Sequence, residues 1–227
     1  MYSIIIPTMW GGTEIEAMLP LLEKHSLVGE ILLINNSIAR TPNWYKLGKW
    51  IKIKQYNPPD NIGVNPAWNL GVRESKNDKI CLLSDDVEFP VDVLEFLYDK
   101  LSSEQGCVGP LKTNINVSAS VPYKLDQFNK LVPAMRMRGQ YGCMMFLNKE
   151  NWVPIPEEFK IFYGDNWIFM NHVLKKKQPR FLLNNRIRTL VGSTSGDPAF
   201  EPQAQREIAA WTAAYGNSIQ FTYEEEP

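Results

Sequence analysis

Two short segments of this sequence put acids where a carboxylate needs a reason to be. The apolar run Lys79-Ile80-Cys81-Leu82-Leu83 ends abruptly in Ser84-Asp85-Asp86-Val87, and an isolated acid stands in Tyr163-Gly164-Asp165-Asn166-Trp167. Five residues of the first kind read as a strand from the middle of a parallel sheet, and open α/β folds bind their ligands at the carboxyl edge of such a sheet. A carboxylate there can share a divalent cation with phosphate oxygens, which makes Asp86 a metal ligand for a diphosphate. Asp85 keeps three roles open: a second ligand, an acceptor for a ribose hydroxyl, or a helix-capping acid ahead of Pro90. Asp165 opens a helical stretch, so taken alone it reads as an N-cap at least as well as a reacting base.

The elements that must carry these acids alternate. Residues 2–6 are rich in isoleucine and closed by Pro7, and residues 14–23 place Ile15, Met18, Leu19 and Leu22 on one helical face. Residues 30–34 form a second strand that stops at Asn35-Asn36-Ser37, residues 50–54 alternate as a third, and Pro58 and Pro59 put 57–61 in a loop. Asn65-Pro66 starts a helix through Val72, because proline at a first helical position loses no needed hydrogen bond, and strand 79–83 follows. Alternation up to about residue 110 argues for a mostly parallel sheet with helices on both faces, since parallel neighbours need crossovers.

Beyond Leu111 the pattern loosens. Residues 113–121 are polar and small, 122–132 are mixed, and Met135-Arg136-Met137-Arg138-Gly139 is basic and apolar together, so this stretch is expected to be a variable, mobile connection. Residues 142–147 restore a strand, 165–174 a helix, 181–183 and 187–191 two last strands, and 203–215 an amphipathic helix before the solvated tail 224–227. With no repeat and no convincing internal boundary, the expectation is one domain over residues 1–227, divided into halves 1–111 and 112–227.

Composition narrows the partners. In 227 residues, 44% are hydrophobic and 11% aromatic, enough for one sizeable core, and 24 Lys plus Arg against 25 Asp plus Glu leave a net charge of −1. That balance gives no global pull toward nucleic acid or anionic membranes. Cys81, Cys107 and Cys143 are an odd number and widely spaced, which reads as reduced core thiols. Neither a leader pattern nor a run of about 20 apolar residues is present, so a soluble, cytoplasmic protein without a membrane span is expected. His25 and His172 fall on predicted helices, where a lone histidine is more often surface or satisfied core than a ligand.

The order of these pieces resembles the family 2-like glycosyltransferases of GT-A fold, over roughly residues 2–195. Ser3-Ile4-Ile5-Ile6-Pro7-Thr8 looks like the family's opening strand and Ile34-Asn35-Asn36-Ser37 like its second strand end. The most specific match is Asn61-Ile62-Gly63-Val64-Asn65-Pro66-Ala67-Trp68-Asn69-Leu70-Gly71, similar to the family's N-x-G-x-x-x-A-x-N-x-G segment. The resemblance implies a GT-A (Rossmann-like) α/β fold, with a nucleotide-sugar-binding half and a smaller, mixed acceptor-side half. It implies that Pro7, Thr8, Asn35 or Asn36, Asn61, Gly63 and Asn69 line the nucleoside pocket, with Ser84, Asp85 and Asp86 at the diphosphate. Ser84-Asp85-Asp86 is similar to the family's D-x-D site with serine in place of the first acid, and implies manganese or magnesium on Asp86. Asp165 matches the catalytic base, with Gly164 where the family has a glutamate, and no histidine follows the last strand in Leu190-Val191-Gly192-Ser193-Thr194-Ser195.

The activity so implied is inverting transfer of a sugar from a UDP- or dTDP-linked donor to an acceptor hydroxyl on a glycan, a lipid-linked sugar or another carrier. Arg186 and Arg188, with Lys175-Lys176-Lys177 and Arg180, form the most basic stretch; one of them could stabilise the departing diphosphate, although such a run is more often a solvated face. Two other classes compete. A non-catalytic module that binds a nucleotide sugar or carbohydrate is favoured by Ser84, by Gly164 and by the absent late histidine. A sugar nucleotidyltransferase would want a basic glycine-rich loop, of which Trp10-Gly11-Gly12-Thr13 is a faint echo. An acceptor base in nucleic acid stays open but unfavoured, and the oligomeric state is open too.

Overall fold

The computed structural model describes residues 1–116, 129–137, 141–184, 186–190 and 198–216. An eight-stranded sheet runs through both halves of the chain. β1 (Tyr2–Thr8) pairs in parallel with β2 (Val28–Asn35) on one side and β4 (Lys79–Leu83) on the other, and β3 (Ile53–Tyr56) extends the sheet beyond β2. On the far side of β4 the direction changes. β8 (Met144–Asn148) runs antiparallel to β4, followed by β6 (Val108–Pro110), β9 (Arg180–Leu183) and the edge strand β7 (Lys130–Pro133), giving the order β3-β2-β1-β4-β8-β6-β9-β7. The architecture is the expected α/β one, parallel in its amino-terminal part and mixed beyond β4.

Strict alternation along the central strands builds two apolar layers. Ile4, Ile6, Ile31, Leu33, Cys81 and Leu83 face one layer, covered by α1 (Glu14–Lys24) and α4 (Asp92–Tyr98). Ile5, Leu32, Ile34, Ile80 and Leu82 face the other, covered by α3 (Val64–Glu74), α5 (Gly164–Leu174) and Trp211 of α6 (Glu201–Tyr215). Away from the sheet, the short strand β5 (Val87–Glu88) pairs antiparallel with β10 (Arg188–Thr189), which draws the late chain back over the end of β4.

Three elements differ from the sequence expectation. The third strand starts at Ile53 rather than at 50, because Trp50 turns inward to stack on Tyr45 of α2 (Asn43–Leu47), with ring centroids 5.7 Å apart, and donates Nε1–H to the Tyr45 carbonyl at 2.9 Å. The last strand is only Arg188–Thr189. In the loosened stretch, residues 130–133 pair with β9, a strand that their mixed pattern conceals. Residues 117–128 of that stretch, Arg138, Gly139, most of 190–195 and the tail 224–227 lie outside the described residues.

His172, 1% exposed, is core: its Nδ1 accepts the Cys107 backbone N–H at 2.7 Å, and burial pushes its pKa down from 6.5 to about 4. The unfolded chain therefore takes up a proton that the folded one refuses, so this contribution to stability is whole above pH 6.5 and drains away as pH falls toward 4. We expect folding free energy to drop by about 3 kcal/mol across that window through this residue alone. Chemical denaturation of His172→Asn, which keeps an acceptor without the titration, should show that part of the slope flattened.

Candidate active site

The carboxyl ends of β1, β2 and β4 meet the amino end of α5 and one face of α6 around a cavity of about 700 Å³. Pro7, Thr8, Asn36, Asn61, Gly63, Ser84, Asp85, Asp86 and Asp165 all line it, so chain segments more than 150 residues apart converge on one edge of the sheet, as open α/β folds require.

The neighbouring acids of the 84–86 segment do different work. Asp85 Oδ2 accepts the Thr8 hydroxyl at 2.6 Å, and the Met9 and Trp10 backbone N–H groups add to that bond. A Cβ on Gly12 would stand 2.8 Å from the Asp85 carbonyl and 3.0 Å from Asp86 Cα, so the 9–12 loop lies directly on the acid pair. Asp85 thus ties the ends of β1 and β4 together and holds that loop; burial raises its pKa against the pull of those hydrogen bonds. Asp86 is buried and accepts the Thr189 hydroxyl at 3.2 Å, a contact supplied by the β5–β10 ribbon.

Asp165 sits one residue into α5. Its Oδ1 accepts the Asn166 N–H at 3.0 Å, and a Cβ on Gly142 would come within 2.8 Å of its Oδ2, so the 141–143 turn is packed against the carboxylate. Burial raises its pKa above the ordinary 3.8. Cys143 lies between the acids: burial pushes its thiol up to about 12, and the charges of Asp86 and Asp165 push in the same direction. The Ser84 N–H donates to the Cys143 carbonyl at 2.9 Å, which fixes the turn to the end of β4.

The two halves are closed together by a zipper of backbone and amide groups. Gly63 has φ +87° and its missing side chain leaves room for the Lys160 carbonyl. The Asn65 N–H donates to that carbonyl at 3.0 Å, and its side-chain amide donates to the Phe162 carbonyl at 2.8 Å. Gly164 packs against the Asn65 amide, and a Cβ there would collide with it. That contact is the physical reason for glycine where the resemblance leads one to look for glutamate. Tyr163, between them, takes φ +60° and stacks on Trp211 at 4.9 Å.

Glu207 of α6, fully buried, completes this wall. Its carboxylate accepts the consecutive N–H groups of Lys160, Ile161 and Phe162, at 2.7–3.3 Å, together with the Gln203 amide. Three parallel donors on one carboxylate are a fixed anion socket, and it orients the loop that delivers Asp165.

Two expected pocket residues are placed elsewhere. Asn35 is fully buried beneath the edge, where Oδ1 accepts from Trp10 Nε1 and the Ser37 N–H and Nδ2 donates to Thr41. Asn69 exchanges both amide bonds with the Ile155 backbone, at 2.8 and 2.9 Å, and so pins α3 to the 153–155 segment rather than reaching the cavity. Nor does the basic stretch reach it: Arg186 pairs with Asp92 at 2.9 Å, Lys177 with Glu104 at 2.8 Å, and the Arg188 guanidinium donates to the Ile187 carbonyl. Among the described residues, the cation on the cavity wall is Arg40. The sequence reading missed Arg40, Thr189 and Glu207. Only Glu207 carried a signal, an acid at helical spacing among Phe200, Ala204, Ile208 and Trp211.

Because Glu207→Ala would leave three buried N–H groups without an acceptor, it is expected to cost about 3 kcal/mol or more, and Glu207→Gln visibly less, in urea denaturation.

No protein-family model matches the sequence, and no curated protein matches it. Solved structures do. TarS 1–349 from S. aureus superposes with TM-score 0.58 at 14% identity, over 96% of this chain and 68% of that one. GalNAc-T7 with UDP, GalNAc and Mn2+ gives TM-score 0.65 at 13% identity, over 96% of this chain and 48% of that one. TarS 1–349 in complex with UDP gives 0.54 at 12% identity, over 83% of this chain and 60% of that one. The last two are thus matched over about half of their own length. What these identities carry is the fold, and the fold of this chain is the GT-A fold of those glycosyltransferases.

Proposed function

We propose that this chain is an inverting glycosyltransferase that moves a sugar from a nucleoside-diphosphate donor to an acceptor hydroxyl in the cytoplasm. The observation that carries the reading is a pair of acids, buried Asp86 and partly buried Asp165, on one cavity at the carboxyl edge of a GT-A sheet, from different halves of the chain. The UDP in the TarS and GalNAc-T7 structures supports a uridine donor. On this reading Thr8, Asn36, Asn61 and Gly63 border the nucleoside, Arg40 offers a counter-charge, and Asp85 keeps the 9–12 loop in place.

Asp165 takes the proton. Its carboxylate has a raised pKa, and so a raised basicity, and it belongs to the wall that α6 and the 160–163 loop build on the acceptor side. As the acceptor oxygen attacks the anomeric carbon from the face opposite the diphosphate, Asp165 removes its hydrogen, an assistance worth about 10²–10⁴ in rate. The bond to the diphosphate breaks in the same displacement, which inverts the anomeric centre.

For a cation, the donor set is all oxygen: the Asp86 carboxylate with the hydroxyls of Ser84 and Thr189 near it, which suits magnesium or manganese. No group of three His, Cys, Asp or Glu that could hold a metal occurs among the described residues, so phosphate oxygens have to complete the shell. When bound, the ion supplies neutralisation of the departing diphosphate.

Calorimetric titration of UDP, dTDP and GDP, each with and without manganese, tests the donor site. One nucleotide should bind with manganese and lose about tenfold or more in affinity in Asp86→Ala; binding of none contradicts the reading. Release of UDP from UDP-linked sugars should have an acidic limb with its midpoint above pH 3.8, since the base works only when ionised. Asp165→Asn should abolish that limb and slow release about 10²-fold or more while leaving UDP affinity intact. Nucleotide binding with no release or transfer in the wild type would instead favour a non-catalytic module.

A further inference from the structure

The segment from Ile38 to Lys54 sends Tyr45 into the core and Arg40 to the cavity wall, and the rest of it has an unusual surface. Leu47 is 84% and Ile51 93% exposed, with Ile38 at 54%. Between Ser37 and Pro59 there is no acidic residue, while Arg40, Lys46, Lys49, Lys52 and Lys54 all fall there. Lys52 donates to the His25 carbonyl and Lys54 lies 3.8 Å from Glu74, but Arg40, Lys46 and Lys49 are exposed and have no ion-pair partner among the described residues. A chain of net charge −1 therefore carries a local positive patch that surrounds two bare aliphatic side chains.

These side chains stand on a rigid base. A Cβ on Gly48 would fall within 2.5 Å of the Trp50 ring, so that ring lies flat against the turn; it stacks on Tyr45, and Trp44 meets both of them edge-on. From below, Glu23 Oε1 accepts the N–H groups of Ile51 and Lys52 at 2.6 and 2.9 Å. That carboxylate is turned into the backbone, away from a role as counter-ion to Lys46 or Lys49. Leu47 and Ile51 are thus presented on either side of a turn whose geometry is already fixed, with no ordering left to be done on docking.

We propose that this turn docks on an anionic lipid surface, with Leu47 and Ile51 entering the headgroup boundary and Lys46 and Lys49 meeting lipid phosphates. The combination of charges and aliphatics selects that partner. A second copy of this chain would bring like charges together. Nucleic acid would satisfy the cations and leave both aliphatic tips in water. An anionic bilayer accommodates both, with partly buried tryptophans at interfacial depth. No helix among the described residues is long and apolar enough to cross a membrane, and the contact made by this turn is a peripheral one. Arg40 belongs both to this segment and to the cavity wall, which sets the cavity mouth beside the docked surface.

Sedimentation with extruded vesicles tests this independently of any activity. The full chain should pellet with vesicles containing about 30% phosphatidylglycerol, not with pure phosphatidylcholine, and should be released by about 0.5 M salt. Both Leu47→Glu/Ile51→Glu and Lys46→Glu/Lys49→Glu should weaken that binding by about tenfold or more with unchanged melting temperature, since all four positions are exposed. Failure to pellet with anionic vesicles, equal binding to neutral ones, or binding indifferent to both variants would overturn the proposal. So would a dimer in sedimentation velocity that Leu47→Glu/Ile51→Glu dissolves, which would make this face a contact between copies.

Discussion

Everything in this molecule is arranged around the burial of β1. All seven of its residues are buried, both of its edges are taken by parallel partners, and helices cover both of its faces. A strand so enclosed cannot turn at its end without passing a neighbour, and its neighbours β2 and β4 end at the same edge. The polar residues that stop these three strands, Thr8, Asn35 and Asn36, and Ser84 to Asp86, are consequently brought together by hydrogen-bonding geometry before any ligand is considered. The Thr8 to Asp85 bond is the smallest expression of that constraint: one strand end closing on another.

The second constraint is the reversal at β8. An antiparallel strand next to β4 returns the chain past the same edge, and the 141–143 turn that precedes it places Cys143 among the acids. From there the 160–164 loop zips onto the 63–65 segment, and Glu207 fastens it from behind. The acids contributed by the two halves are therefore held by different devices, Asp86 by strand pairing and Asp165 by a loop seated on a helix.

Where sequence and structure agree, the cause is local. The apolar runs in 2–6, 30–34 and 79–83, the helical spacing in 14–23 and the proline-started helix 65–72 are legible because each pattern is satisfied by its nearest neighbours. Asn35 and Asn69 show the limit. An asparagine at a strand end or in a helix has the same letter whether its amide faces a cavity or closes on a backbone, and only the approach of Trp10 and Ile155 decides. Trp50 is similar: its alternation with Ile51 and Lys52 suggests a strand, but stacking on Tyr45 outweighs pairing beyond β2. Strand β7 had no pattern to read, because a short edge strand is made by its partner β9.

Gly164 and Asn65 occupy one volume between them, although 99 positions separate them in the chain. No side chain can appear at 164 while an asparagine fills 65, and shrinking 65 removes the amide that holds Phe162. The two positions are therefore coupled by volume: a larger residue at 164 requires a smaller one at 65, and that exchange gives up the amide clasp on the loop that carries Asp165.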